Sequence, residues 1–151
     1  MYNDVVSSIL SLFSREAKVI FYPGAAHSFV SSVFARYNDV PITLLDDHVS
    51  ISTPIEDCKL IDCVYKSCMI KLCDREFLVD LLPLKMHDFD LILGMDWLRP
   101  YHVSIDCFAK KIIFRRPGEE ELSFQGNHKN RRGLISMVKA AKMLKKGVKN
   151  I

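Results

Sequence analysis

The sequence predicts a mainly β protein whose body is a closed or sandwiched sheet. Three observations carry this. Short runs rich in Val, Ile, Leu, Phe and Tyr recur along residues 4–124. Polar or Pro-containing breaks separate them about every 8–12 residues, the spacing of an all-β body. Helical spacing is limited to short stretches and to the C-terminal tail.

The elements follow in order. Residues 4–13 are β-prone, Ser14-Arg15-Glu16-Ala17 is a polar turn, and Lys18 to Tyr22 returns as a second strand, so the two form a hairpin. The hairpin delivers the chain into Pro23-Gly24-Ala25-Ala26, a sharp loop where Gly24 removes the Cβ constraint. Such a loop on a rigid scaffold is a place to mount chemistry. This one carries no acid, no base and no nucleophile of ordinary reactivity. Ser28 then reads as the N-cap of a helix with Phe29, Val30, Val33, Phe34 and Tyr37 at helical spacing, stopped by Asn38-Asp39-Val40-Pro41.

From Pro41 to Leu84 the pattern is a succession of strands: Ile42–Leu45, His48–Ser52, Leu60–Tyr65, Cys68–Leu72 and Phe77–Leu82. Thr53-Pro54-Ile55-Glu56-Asp57 reads as an exposed hairpin tip and Cys73-Asp74-Arg75-Glu76 as a second tight turn. Phe89 to Gly94 is a buried strand running into a glycine. Met95 to Arg99 forms a short helix ended by Pro100. Val103–Cys107 and Lys111–Phe114 make a last hairpin across Phe108-Ala109-Lys110, with Asp106 in a turn role, and Glu121–Phe124 adds a terminal strand.

A length of 151 residues fits one domain with an appendage, and 49% hydrophobic with 26% charged residues is ordinary for a globular protein. No run approaches the length of a membrane span, and no basic region precedes the N-terminal apolar residues as a secretory signal requires. The net charge of +3 is unevenly placed. Residues 128–151 hold eight of the 21 Lys and Arg and none of the 18 acids, which leaves residues 1–127 at −5. The chain therefore divides into a body, 1–127, and a basic segment, 128–151. In that segment Leu134, Ile135, Met137, Val138, Ala141 and Leu144 share one helical face, bracketed by Gly133 and Gly147. Its bland reading is a solvated or docked linker helix; its sharper one is a weak nucleic-acid contact.

Cys58, Cys63, Cys68 and Cys73 recur every five residues, which is no metal-ligand spacing, and Cys107 stands alone. No metal site is expected. An odd count of small, buried or half-buried thiols reads as a reduced, intracellular chain, hence a cytoplasmic one.

Three stretches together resemble one family. Phe21-Tyr22-Pro23-Gly24-Ala25-Ala26-His27-Ser28-Phe29 sits where retropepsin-like aspartic proteases of gypsy-type retrotransposon polyproteins carry Phe/Ile-Asp-Ser-Gly-Ala-Ser/Thr-His-Ser-Phe. Asp88-Phe89-Asp90-Leu91-Ile92-Leu93-Gly94-Met95-Asp96-Trp97-Leu98 is similar to the second signature of that family nearly letter for letter. Val103–Cys107, Ile112–Phe114 and Phe124-Gln125-Gly126 resemble its C-terminal hairpin and closing strand, and the tail resembles the spacer before a reverse transcriptase. The resemblance implies a small closed β-barrel of the acid-protease fold with short helices, working without a cofactor as a homodimer on an extended peptide. It places the flap at His48–Asp57 and Leu60–Tyr65, with Thr53, Pro54, Ile55, Glu56 and Asp57 at its tip, and the turn Ile92-Leu93-Gly94 behind the catalytic loop. One loop per chain means an active site straddling two copies.

The same resemblance locates the departures. Family members use two aspartates that share a proton, one as base towards water and one as acid towards the scissile carbonyl. Tyr22 stands at the aspartate position, and about one phenol in a thousand is ionised at pH 7. Pro23 removes a hydroxyl and a backbone N–H that brace the two loops, and Ala26 removes another hydroxyl. Asp90 and Asp96 belong to the family pattern and read as caps of the turn and short helix. His27 belongs to it too, at the entry to the following element; Met95 and Trp97 read as packing residues. The resemblance alone implies a polyprotein-processing endopeptidase. The substitutions imply a catalytically inactive copy that keeps the fold, as a dimerisation or peptide-binding remnant or a module tethered to nucleic acid by its tail.

Overall fold

The computed structural model describes residues 5–38, 40–51, 59–126 and 149–150. The expected flap tip, Thr53 to Asp57, and the expected tail helix lie outside these residues. Eleven strands, one short α-helix and one 3-10 turn are described: β1 (Val6–Leu12), β2 (Arg15–Phe21), β3 (Phe29–Ser31), the 3-10 turn Phe34–Tyr37, β4 (Ile42–Ile51), β5 (Lys59–Leu72), β6 (Arg75–Leu84), β7 (Leu91–Leu93), α1 (Met95–Leu98), β8 (Val103–Asp106), β9 (Lys111–Phe114), β10 (Leu122–Gln125) and β11 (Lys149–Asn150).

Local turn chemistry builds the hairpins. Phe13 and Ser14 both adopt positive φ, 55° and 61°, and so do Cys73 and Asp74, 52° and 61°. Two consecutive left-handed residues match the right-handed twist of the flanking strands. The first turn is thus Phe13-Ser14, two residues earlier than the polar cluster suggested, and Arg15 to Ala17 belong to β2. The expected pairs of short strands at 42–52 and at 60–72 are each one long strand. Both are broken by irregularities in register, between Leu44 and Val49 in β4 and between Tyr65 and Cys68 in β5.

The strands run in the order β1-β2-β7-β3-β6-β5-β4-β11, and a second contact of β1 with β5 closes the first six of them into a barrel. Two pairings are parallel, β2 with β7 and β3 with β6. β8, β9 and β10 form a separate antiparallel sheet. β11 lies antiparallel on the outer edge of β4, Lys149 opposite Ser50 and Asn150 opposite Val49.

Alternation along the central strands separates two apolar clusters. Val19 and Phe21 of β2, Val30 of β3 and Leu91 and Leu93 of β7 join Phe77, Trp97 and Phe114 on one side. Ile20, Phe29 and Ile92 from the same strands join Tyr22, Val49, Ile61 and Leu82 on the other. Strands buried on both faces read as continuous apolar runs, which is why Val19-Ile20-Phe21 and Leu91-Ile92-Leu93 show no polar alternation. The first cluster is aromatic: Phe77 stacks on Phe114 at 5.3 Å and meets Trp97 and Tyr101 edge-on at 5.4 and 4.9 Å. Trp97 is a core residue, as its place in the sequence suggested.

Candidate functional site: a braced loop filled by Tyr22

The loop 22–28 leaves β2 and re-enters the sheet as β3, with β7 hydrogen-bonded between those two strands. Backbone bonds fix both its ends. Tyr22 N–H donates to Leu93 O at 2.9 Å, Met95 N–H to Ala25 O at 2.8 Å and Asp96 N–H to Ala26 O at 3.2 Å. Gly94 is required by this approach, because a Cβ there would meet the backbone carbonyl oxygens of Ala25 and His27. Ile92 and Leu93 are strand β7 and not part of a turn, and it is Leu93 and Gly94, at the end of that strand, that meet the loop.

Ser28 is the residue the sequence reading misplaced. No helix begins there: Phe29 to Ser31 is strand β3, and the 3-10 turn starts only at Phe34. Ser28 is fully buried; its hydroxyl donates to Asp96 Oδ1 at 2.5 Å and accepts Gly94 N–H at 3.0 Å, while its own N–H donates to Asp96 Oδ2 at 3.2 Å. The N-cap of the 3-10 turn is Val33, without a side-chain bond, and Ser31 holds the bend ahead of it, its Oγ accepting the N–H groups of Val33 and Phe34 at 3.2 and 3.4 Å.

The two aspartates are likewise struts between elements. The N-cap of α1 is Gly94, with no side-chain cap bond, so Asp96 caps nothing and reaches across to Ser28. Asp96 is an exposed residue whose carboxylate turns inward. Loss of water around it raises its pKa above the ordinary aspartate value, against the lowering effect of the Ser28 bonds and of His27. Asp90 Oδ2 accepts Lys18 N–H at 2.8 Å, Asp90 N–H donates to Lys18 O at 2.9 Å, and Asp90 O accepts Ser31 N–H at 2.8 Å, so Asp90 ties β2 to β3. Asp106 does hold its turn, accepting Ala109 N–H at 2.9 Å.

Within this frame the loop side chains divide. Pro23 and Ala26 face outward and Ala25 is buried. Tyr22 turns inward, 3% exposed, among Ile20, Ala25, Val49 and Ile61. Its ring lies over Gly24, so closely that a Cβ on Gly24 would strike the phenol end. The glycine thus makes room for the tyrosine ring. Val49 and Ile61, from the base of the β4–β5 hairpin expected to be the flap, close the same cluster. Two surface cavities, about 310 Å³ beside Phe13 and Lys71 and about 250 Å³ between Asp80, Asp96 and Tyr101, take no lining from residues 22–26.

His27 is half-buried, and its Nε2 meets no hydrogen-bond partner among the described residues. No group of three or more His, Cys, Asp or Glu residues is placed to hold a metal ion among the described residues. Cys63, Cys68 and Cys73 carry free thiols; Cys68 is buried, whereas Cys73 is exposed on its turn, contrary to the expectation of a half-buried thiol. Burial first, and the Asp80 charge second, push the Cys68 thiol up to about 12, so it behaves as a small core hydrophobe. No helix among the described residues is long and apolar enough to cross a membrane.

The retroviral protease-like domain of Ddi1 from Leishmania major is similar in fold, with a TM-score of 0.60 at 14% identity, over 83% of this chain and 96% of that one. EIAV protease complexed with an inhibitor matches at a TM-score of 0.46 and 16% identity, over 66% of this chain and 89% of its own. A foamy viral protease-reverse transcriptase complexed with an RNA/DNA hybrid matches at 0.45 and 13%, over 65% of this chain and 12% of that one. No curated protein matches the sequence. The sequence model of the family described as retroviral aspartyl protease matches residues 1–120. With the barrel, the framed loop and that match in hand, the chain is a member of the retroviral aspartyl protease family.

Proposed function

We propose that this domain keeps the retropepsin scaffold without its hydrolytic chemistry, and serves as a non-enzymatic dimerisation or peptide-binding module derived from a retrotransposon polyprotein. The observation that carries the reading is Tyr22. At the position where the family motif has its aspartate, the side chain is a phenol, turned into the core and laid over Gly24. A neutral phenol cannot share a proton as a carboxylate pair does, and a buried one cannot meet its counterpart at a two-fold axis. Loss of an acid–base unit costs on the order of 10⁴–10⁶ in rate. The frame around the loop is otherwise complete, with Ser28, Asp96, Gly94 and the Leu93 carbonyl all engaged. That completeness supports retention of the scaffold as a binding module.

The test is cleavage of a peptide library between pH 4 and 7. The unaltered protein is expected to give none, and pepstatin-sensitive cleavage would overturn the reading. A Tyr22→Asp, Pro23→Ser, Ala26→Ser variant is expected to regain turnover as a dimer. A folded, dimeric variant that stays silent would show that more than the loop has been lost.

A further inference from the structure

β4, a strand of ten residues, has an outer edge beside the loop, and part of that edge is already paired. β4 pairs with β5 on one side. On the other it pairs with β11, the chain's own C-terminal residues, Lys149 against Ser50 and Asn150 against Val49. We propose that the outer edge of β4 is a strand-addition site whose resident occupant is the C-terminal segment of the same chain. An extended peptide then pairs with this edge only by displacing that segment.

Three observations support the assignment, and none depends on whether the loop hydrolyses anything. An edge strand of ten residues with exposed Ile42 and Leu44 is an open template for another strand, which proteins ordinarily cover or blunt. The covered stretch is the one beside the loop, since Val49 shares its apolar cluster with Tyr22. Charge is complementary as well. Residues 42–65 carry Asp46, Asp47, Glu56, Asp57 and Asp62 against Lys59 alone, while residues 128–151 carry eight basic groups and no acid. Main-chain pairing supplies the affinity in strand addition, and the opposite charges favour this occupant over a neutral one.

Antiparallel geometry gives the test an internal control. Successive residues of a strand point their N–H groups to opposite neighbours, so of Val49 and Ser50 one faces β5 and the other faces β11. Hydrogen exchange of these two amides is measured by NMR in the full chain and in a Lys149→Pro, Asn150→Pro variant, whose C-terminal segment lacks the donors and geometry for pairing. One of the two amides should exchange at least about tenfold faster in the variant, with its neighbour and the β5–β6 amides unchanged. A synthetic peptide of residues 143–151 should restore the lost protection, and the same peptide with both prolines should not. Unchanged exchange at both amides overturns the proposal. So does an equal loss across β5 and β6, which would make the segment an inseparable part of the fold. Protection that fades on dilution of the unaltered protein would assign the strand to a second copy and overturn the intramolecular occupant.

Discussion

Removing the Ser28 hydroxyl is the sharpest perturbation of the frame. Ser28→Ala deletes two bonds at a fully buried position: the donation to Asp96 Oδ1 at 2.5 Å and the acceptance from Gly94 N–H at 3.0 Å. An unpaired buried N–H at Gly94 costs about 1–3 kcal/mol, and a hydrogen bond to a charged group contributes about 1.5–3 kcal/mol. The second figure is taken at its low end, because Asp96 keeps its bond from Ser28 N–H and water reaches its exposed side. The expected loss is therefore about 3 kcal/mol, a large share of the roughly 5–15 kcal/mol that stabilises a domain. Urea denaturation checks it. With a slope of about 2 kcal/mol/M the midpoint falls by ~1.5 M at unchanged slope. The exposed neighbour Ser32, changed to Ala, should move stability by no more than about 0.5 kcal/mol. A loss below about 1 kcal/mol for Ser28→Ala would refute the claim that this hydroxyl joins the loop to the turn at Gly94.

Two further predictions concern the same frame. Gly94→Ala should cost about 3 kcal/mol, because the new methyl meets backbone carbonyls that cannot swing aside, whereas Gly24→Ala should cost ~1 kcal/mol and push the movable Tyr22 ring outward; denaturation midpoints and faster nitration of Tyr22 in Gly24→Ala read the two outcomes. Asp96 takes up its proton at higher pH in the folded protein than in the unfolded chain, so this group adds stability as pH falls through its raised folded pKa towards the ordinary aspartate value. Asp96→Asn lacks that gain, and the stability of the unaltered protein relative to the variant should rise between pH 7 and pH 4; a flat or falling difference would contradict the inward-facing carboxylate.

What the sequence made legible depended on range. Hairpins announce themselves by neighbouring residues, so β1–β2, β5–β6 and β8–β9 were readable to within a few positions. The displaced first turn is a matter of local chemistry too, since Phe13-Ser14 contains none of the Gly, Asn or Asp that usually mark two left-handed residues. Ser28 failed for a different reason. A serine ahead of apolar residues at helical spacing is the signature of an N-cap, and only a carboxylate 68 residues away makes it a strut instead. Asp90 and Asp96 were assigned to local caps for the same reason, while their partners, Lys18 and Ser28, lie far upstream. The family pattern located Tyr22 as the misfit. That its ring turns inward over Gly24 is a packing outcome no pattern states.

The insertion of β7 between β2 and β3 also sets an order of assembly. The β1–β2 hairpin is complete by residue 21 and needs no distant partner to begin forming. The loop that follows has one early anchor, Leu82 N–H on the Ser28 carbonyl at 3.0 Å, and its remaining bonds to distant residues run to Leu93, Gly94, Met95 and Asp96. On a ribosome, where the chain emerges from its N-terminus, Tyr22 to Ser28 must wait for some seventy further residues before acquiring its shape. Closing a connection of that length is slow relative to forming a hairpin. The most carefully shaped part of the molecule is therefore among the last to be set, and a nascent chain halted before residue 91 would present β2 and β3 with an empty slot between them.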